Sequence, residues 1–160
     1  MPKIHPFLWF DKEAEEAMNF YVSIFPNSKV LSVQRYGPGG PGPERSVMTA
    51  DFELDGQRVT ALNGGPMYSF TEAVSFVIDC QDQAEVDHYW DNLLVDGGRP
   101  SQCGWLKDRF GFSWQVVPKQ LFATLGGPDA EGRKRTMAAM MKMSKLDVEA
   151  LERAYRGEAA

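Results

Sequence analysis

The sequence predicts an α+β fold built from two tandem βαβββ modules and closed by C-terminal helices. Three observations predict it. A short apolar run followed by an amphipathic helical stretch occurs twice, around Phe7 and around Phe76. Each pair is followed by β-branched segments punctuated by glycine and proline, and the last quarter of the chain carries helix-start and helix-stop signals with little strand character.

In chain order, "KIHPFLWF" reads as a strand, and "DKEAEEAMNFYVSIFP" sets Ala14, Ala17, Met18, Tyr21, Val22 and Phe25 at helical spacing and stops at Pro26. Residues 28–36 and 45–54 read as strands, and "GPGGPGP" between them supports neither a helix nor a ladder, so a turn-rich loop is expected there. Asp55-Gly56 is a hairpin signal leading into "QRVTALN", which ends at Gly64-Gly65-Pro66 and completes module one at residues 1–66. "SFVIDCQDQAEVDHYWDNLL" repeats the strand and helix, with Val86, Tyr89, Trp90 and Leu93 as one apolar stripe. Laying Glu16–Tyr21 on Glu85–Trp90 gives an offset of 69 residues, which also sets Phe7 on Phe76 and suggests an internal duplication. Strands at 99–107 and 112–117, joined by the turn "KDRFG", complete module two at 71–118. Period-two alternation puts Phe112, Trp114 and Val116 on one face and Ser113, Gln115 and Val117 on the other.

Residues 119–160 form the helical extension. Pro118 opens "KQLFATLGG", Asp129 caps a helix running through Met143, and Asp147 caps "VEALERAY" with Leu146 stapled to Leu151. Met137, Met140, Met141 and Met143 are expected to be core filler, with a soft binding surface as the alternative.

The 160 residues are enough for a single domain, and 43% hydrophobic with 24% charged residues is a globular composition. A net charge of -5 argues against a nucleic-acid partner. No apolar run approaches the ~20 residues of a membrane span and no signal-peptide layout opens the chain, so no membrane partner and a cytoplasmic location are expected. Cys80 and Cys103 offer neither a metal-knuckle spacing nor a disulfide framework.

The segments "PFLWFDKEAEEAMNFYVSIFPNSKV", "LNGGP", "FTEAVSFVIDCQDQAEVDHYWDNL", "CGWLKDRFGFSWQVVP" and "MKMSKLDVEALERAY" resemble the PhnB-like group of the vicinal oxygen chelate superfamily. That superfamily takes in glyoxalase, bleomycin resistance and dioxygenase proteins, and the PhnB-like group is often labelled 3-demethylubiquinone-9 3-methyltransferase. The resemblance implies a curled mixed sheet with a crevice, a homodimer, and a divalent metal held by one side chain near the start of the first strand and one on the last strand of each module. Carried onto this chain, those positions hold His5, the apolar Val74, Gln115, and a strand 57–63 that has only Asn63 near its end. Such a set supplies no anionic charge, so no intact catalytic metal site and no cofactor are expected, with His5, Gln115 and Glu72 the donors left for a divalent ion. Glu53 and Asp79 are further carboxylates for a relocated site.

The expected function is therefore binding or sequestering of a small organic molecule in an aromatic-lined pocket. Its candidate residues are His5, Trp9, Asn63, Cys103, Trp105, Ser113 and Gln115. A metal-dependent lyase, isomerase or dioxygenase with a relocated site is the enzyme alternative, and a methyltransferase is the third reading. For the last, the glycines lie in "GPGGPGP", "NGGP" and "VDGGRP", none of which opens a helix after a buried strand.

Overall fold

The structure is a computed structural model that describes residues 2–158, and it divides into two compact units, Met1–Phe70 and Thr71–Ala160. The first contains β1 (Phe7–Phe10), α1 (Ala14–Ile24), β2 (Lys29–Arg35), β3 (Val47–Leu54) and β4 (Gln57–Asn63). Its sheet runs β1-β4-β3-β2, with β1 parallel to β4 and the other pairs antiparallel. α1 lies on β3 and β4 and buries Ala14, Ala17, Met18, Tyr21 and Ile24. Opposite them the sheet presents Leu8, Phe10, Ala50, Phe52, Leu54, Val59 and Ala61. Full burial of a side chain such as Phe52 contributes about 1.5–3 kcal/mol, so this layer is the main stabiliser of the unit.

The second unit repeats the plan with β5 (Ser75–Cys80), α2 (Gln83–Leu93), β6 (Arg99–Pro100), β7 (Trp105–Lys107) and β8 (Ser113–Pro118). The order β5-β8-β7-β6, again with only the first pair parallel, matches that of the first unit. Asp82 caps α2 by accepting from the Glu85 amide, and the helix buries the stripe Val86, Tyr89, Trp90 and Leu93. Three further helices follow: α3 (Lys119–Leu125), α4 (Ala130–Met140) and α5 (Val148–Arg156). Asp147 caps α5, and Leu146 and Leu151 join Val117 and Leu121 in one apolar cluster.

The expected strand 99–107 is broken in the structure. Residues 101–104 form a turn with Cys103 at φ 59° and Gly104 at φ 85°, leaving only β6 and β7 as ladder. A Cβ on Gly104 would sit 2.9 Å from the Val116 carbonyl oxygen and 3.0 Å from Leu146, so the turn is held against β8 and the C-terminal cluster. The same turn explains why α4 stops at Met140 rather than Met143. The carbonyls of Met143 and Ser144 accept from the Cys103 and Gly104 amides at 2.9 and 2.8 Å, which fixes that segment outside the helix. Met140 and Met143 pack on the apolar cluster, whereas Met137 and Met141 are exposed.

The turn between β7 and β8 is built on Asp108, a carboxylate only 2% exposed. Its Oδ1 accepts from the amides of Phe110 and Phe112 at 2.9 and 3.1 Å, and its Oδ2 from the Trp114 indole at 2.9 Å. Among the described residues no helix is long and apolar enough to cross a membrane.

Candidate functional site

In each unit one sheet face is covered by the helix, and alternation turns the intervening residues to the other face. In the first unit that helix-free face carries Phe7 and Trp9 on β1, Asp51 and Glu53 on β3, and Arg58 and Thr60 on β4. His5 precedes β1 and is half-buried, with Nε2 3.0 Å from Thr60 Oγ1. The Thr60 hydroxyl donates its single proton to Asp51 Oδ1, so His5 Nε2 must itself be the donor in the His5–Thr60 bond. That nitrogen has no lone pair to offer a metal. Asp51 Oδ2 in turn pairs with the Arg58 guanidinium at 3.0 Å. Burial pushes the Asp51 carboxyl up, but the Thr60 hydroxyl, Arg58 and His5 outweigh it and hold it below the usual aspartate value.

Trp9 donates its indole N–H to the Gly65 carbonyl at 2.9 Å and meets Tyr68 edge-on, with ring centroids 4.9 Å apart. Its ring lies where a Cβ on Gly64 would be, 2.4 Å away, so glycine there lets the indole rest on the backbone. Asn63 has a local role: Oδ1 accepts from the Ala14 amide at the start of α1 and Nδ2 donates to the Val47 carbonyl. It also lines a cleft of about 630 Å³ with Lys12, Glu15, Arg35, Tyr36 and Pro43, where Tyr36 ties the glycine- and proline-rich loop to the Asn63 carbonyl at 3.1 Å.

In the second unit the face turned away from α2 carries Ser75 and Val77 on β5, Ser113 and Gln115 on β8, and Trp105 and Lys107 on β7, with Val117 at its end packed under the C-terminal helices. Gln115 lies between Val77 and Trp105 in register and donates from Nε2 to Ser75 Oγ at 3.0 Å, leaving Oε1 as an acceptor. Ser113 is 1% exposed, and its hydroxyl is buried with no hydrogen-bond partner among the described residues. Lys107, opposite Ser113 in the ladder, forms an ion pair with Glu72, which holds that exposed carboxyl below its ordinary value. Val74 is 61% exposed. Cys103 stands apart in its turn, with Sγ 3.6 Å from the Met140 carbonyl and 3.9 Å from Met141 Sδ.

The repeat also pairs differently from the sequence offset. An offset of 69 carries Ala14 onto Gln83, but the loop before α1 has three residues and the loop before α2 has two, so the strands align with an offset of 70. Phe10 then falls on Cys80, both facing a helix, and Phe7 falls on the outward Val77 rather than on Phe76, which packs against Phe112 and Trp114. The counterpart of His5 is therefore Ser75, not Val74, and the polar pair His5–Thr60 has its equivalent in Ser75–Gln115. Thr60, Asp51, Arg58 and Ser75 were not singled out from the sequence. Strand alternation from Gln115 and His5 was the signal that pointed to their faces.

As to a metal, no three His, Cys, Asp or Glu side chains among the described residues gather closely enough to hold an ion. Of the donors expected for one, His5 Nε2 is engaged with Thr60 and Glu72 is paired with Lys107, whereas Gln115, bound to Ser75 through its nitrogen, keeps only the neutral Oε1 to offer.

The model of the 3-demethylubiquinone-9 3-methyltransferase family matches residues 2–117. Among solved structures, a PhnB protein from Bacillus cereus is 36% identical over 73% of this chain and 99% of its own, with a TM-score of 0.68. A Pseudomonas aeruginosa protein, 20% identical over 74% of this chain and 98% of its own, has a TM-score of 0.60. A fosfomycin resistance protein from Listeria monocytogenes, solved with Mn(II) and sulfate, is 16% identical over 79% of this chain and 98% of its own, with a TM-score of 0.53. The last two share the fold, which is that of the vicinal oxygen chelate superfamily. No curated protein matches the chain.

Proposed function

The chain belongs to the 3-demethylubiquinone-9 3-methyltransferase family, and from that premise we propose that it binds a small oxygenated aromatic molecule on the sheet face of the second unit that carries Ser113 and Gln115, without a catalytic metal. The observation that carries this reading is the Ser113 hydroxyl, buried and unpartnered beside the Gln115–Ser75 pair and in the same ladder as Trp105 and Lys107. A buried hydroxyl left unpaired costs about 1–3 kcal/mol, which a ligand oxygen would recover. Trp105 and Val77 supply apolar contact, Ser113 and Lys107 supply donors, and Gln115 Oε1 supplies an acceptor. The engagement of His5 Nε2 with Thr60 and of Glu72 with Lys107 supports the metal-free form of the reading. A cytoplasmic homodimer is the setting we propose for it.

The family's label favours methyl transfer, but the two strand-to-helix loops, residues 11–13 and 81–82, contain no glycine. A nucleotide-type cofactor is usually received on a glycine-rich turn of that kind. The Mn(II) of the fosfomycin resistance relative supports a metal-dependent alternative. A thermal-shift screen tests the proposal with quinones, catechols and phenols, and separately with divalent metals and S-adenosylmethionine. Stabilisation by an oxygenated aromatic, lost in Ser113→Ala and Trp105→Ala, is expected. Stabilisation only by a metal or only by S-adenosylmethionine would overturn it.

A further inference from the structure

We propose that the Cys103 turn and the end of α4 form a binding site for Cu(I), separate from the sheet face that carries Ser113 and Gln115. Two soft donors from distant parts of the chain meet there, Cys103 Sγ and Met141 Sδ, 3.9 Å apart. The approach is built into the backbone. The Cys103 and Gly104 amides donate to the carbonyls of Met143 and Ser144 at 2.9 and 2.8 Å, and the Ser144 hydroxyl donates to the Ser101 carbonyl at 2.6 Å. Met143 and Ser144 of the C-terminal segment are thereby stapled to the turn between β6 and β7, and the two sulfurs are carried with them.

A third sulfur lies on the same helical face. Met137 is one turn before Met141, whose amide donates to the Met137 carbonyl at 3.0 Å, and residues at i and i+4 are surface neighbours. Met137 and Met141 are 46% and 60% exposed while Met140 and Met143 pack inward, so the methionine run divides into a structural pair and an outward pair. Met141 of the outward pair stands against the half-buried Cys103 thiol. One thiolate with thioethers is a soft donor set of the kind that suits Cu(I), whereas hard divalent ions take carboxylate, carbonyl and water. No group of three His, Cys, Asp or Glu among the described residues competes for those ions. Binding converts the Cys103 thiol, whose proton points to the Met140 carbonyl at 3.6 Å, to a thiolate; the S–H bond breaks, an S–Cu bond forms, one proton is released, and no electron is transferred.

The other cysteine is an internal control. Cys80 is buried, and desolvation, with the charge of Glu85 adding to it, pushes its thiol up to about 12. The test is an anaerobic titration of the full chain with Cu(I), kept reduced by ascorbate, in competition with bicinchoninate. One ion retained per chain is expected, with thiolate-to-copper absorption in the ultraviolet. Cys103→Ser loses both signals, Met141→Leu and Met137→Leu each yield copper at lower chelator concentration, and Cys80→Ala retains it. Thermal unfolding of the metal-free variants reports whether each is folded. Failure of the wild type to hold copper, retention by Cys103→Ser, or wild-type retention by Met141→Leu would each overturn the site.

Discussion

Replacing Asp108 by asparagine removes one charge from a position 2% exposed while keeping the side-chain shape. The carboxylate receives the Phe110 and Phe112 amides on one oxygen and the Trp114 indole, at 2.9 Å, on the other. In Asp108→Asn the remaining oxygen still serves the two amides, without its charge, and the new NH2 group faces the indole N–H donor to donor. A bond to a charged group contributes about 1.5–3 kcal/mol and an orphaned buried donor costs about 1–3 kcal/mol. Because the two effects share Trp114 they do not simply add, and a net loss of about 3–4 kcal/mol is expected. Urea denaturation followed by far-UV circular dichroism reads it as a lower midpoint at unchanged slope. Trp114→Phe removes the orphaned donor, so the double variant is less destabilised than the sum of the singles by about 1–2 kcal/mol. A loss under about 1 kcal/mol for Asp108→Asn, or additivity in the double variant, would refute the role given to this carboxylate.

Three other outcomes follow from the geometry. Thr60→Val removes the hydroxyl that links His5 to Asp51. Since the folded Asp51 carboxyl lies below its unfolded value of 3.8, its stabilisation is complete above that pH and is lost as pH falls through the lower folded value; in Thr60→Val urea midpoints measured across this acid range fall less steeply. Gly104→Ala adds a Cβ 2.9 Å from the Val116 carbonyl oxygen at a residue with φ 85° and should lower stability by about 2 kcal/mol or more, read as a reduced thermal midpoint. Glu72→Gln, which breaks only an exposed ion pair with Lys107, should leave the urea midpoint unchanged within error.

Much of the fold was legible because it rests on periodicity. The stripes of α1 and α2, the hairpin at Asp55-Gly56, and the caps Asp129 and Asp147 are local signals, and each appears where the residues place it. Register was less legible. A helix tolerates an offset read from its own stripe, but one residue fewer in the loop before α2 shifts the strand alignment by one, and a one-residue slip exchanges the faces. That is how Val74 came to be paired with His5 in the sequence when Ser75 occupies the equivalent place. The break at Ser101–Gly104 was hidden for a different reason. Its left-handed Cys103 is favoured by backbone bonds to Met143 and Ser144, some 40 residues away, which no local pattern announces. Of the candidate site, Gln115, Ser113 and Trp105 fall on one sheet face as alternation predicts. Asn63, read as a residue near the end of its strand, also caps α1 because its amide reaches the Ala14 nitrogen.

The most direct test of the metal-free binding face is calorimetry of the purified chain with the best oxygenated aromatic from the thermal screen, run with and without a strong divalent chelator. The same affinity in both buffers is expected, with a loss of binding heat in Ser113→Ala and in Trp105→Ala. Binding that disappears with the chelator and returns on adding a divalent ion would contradict it.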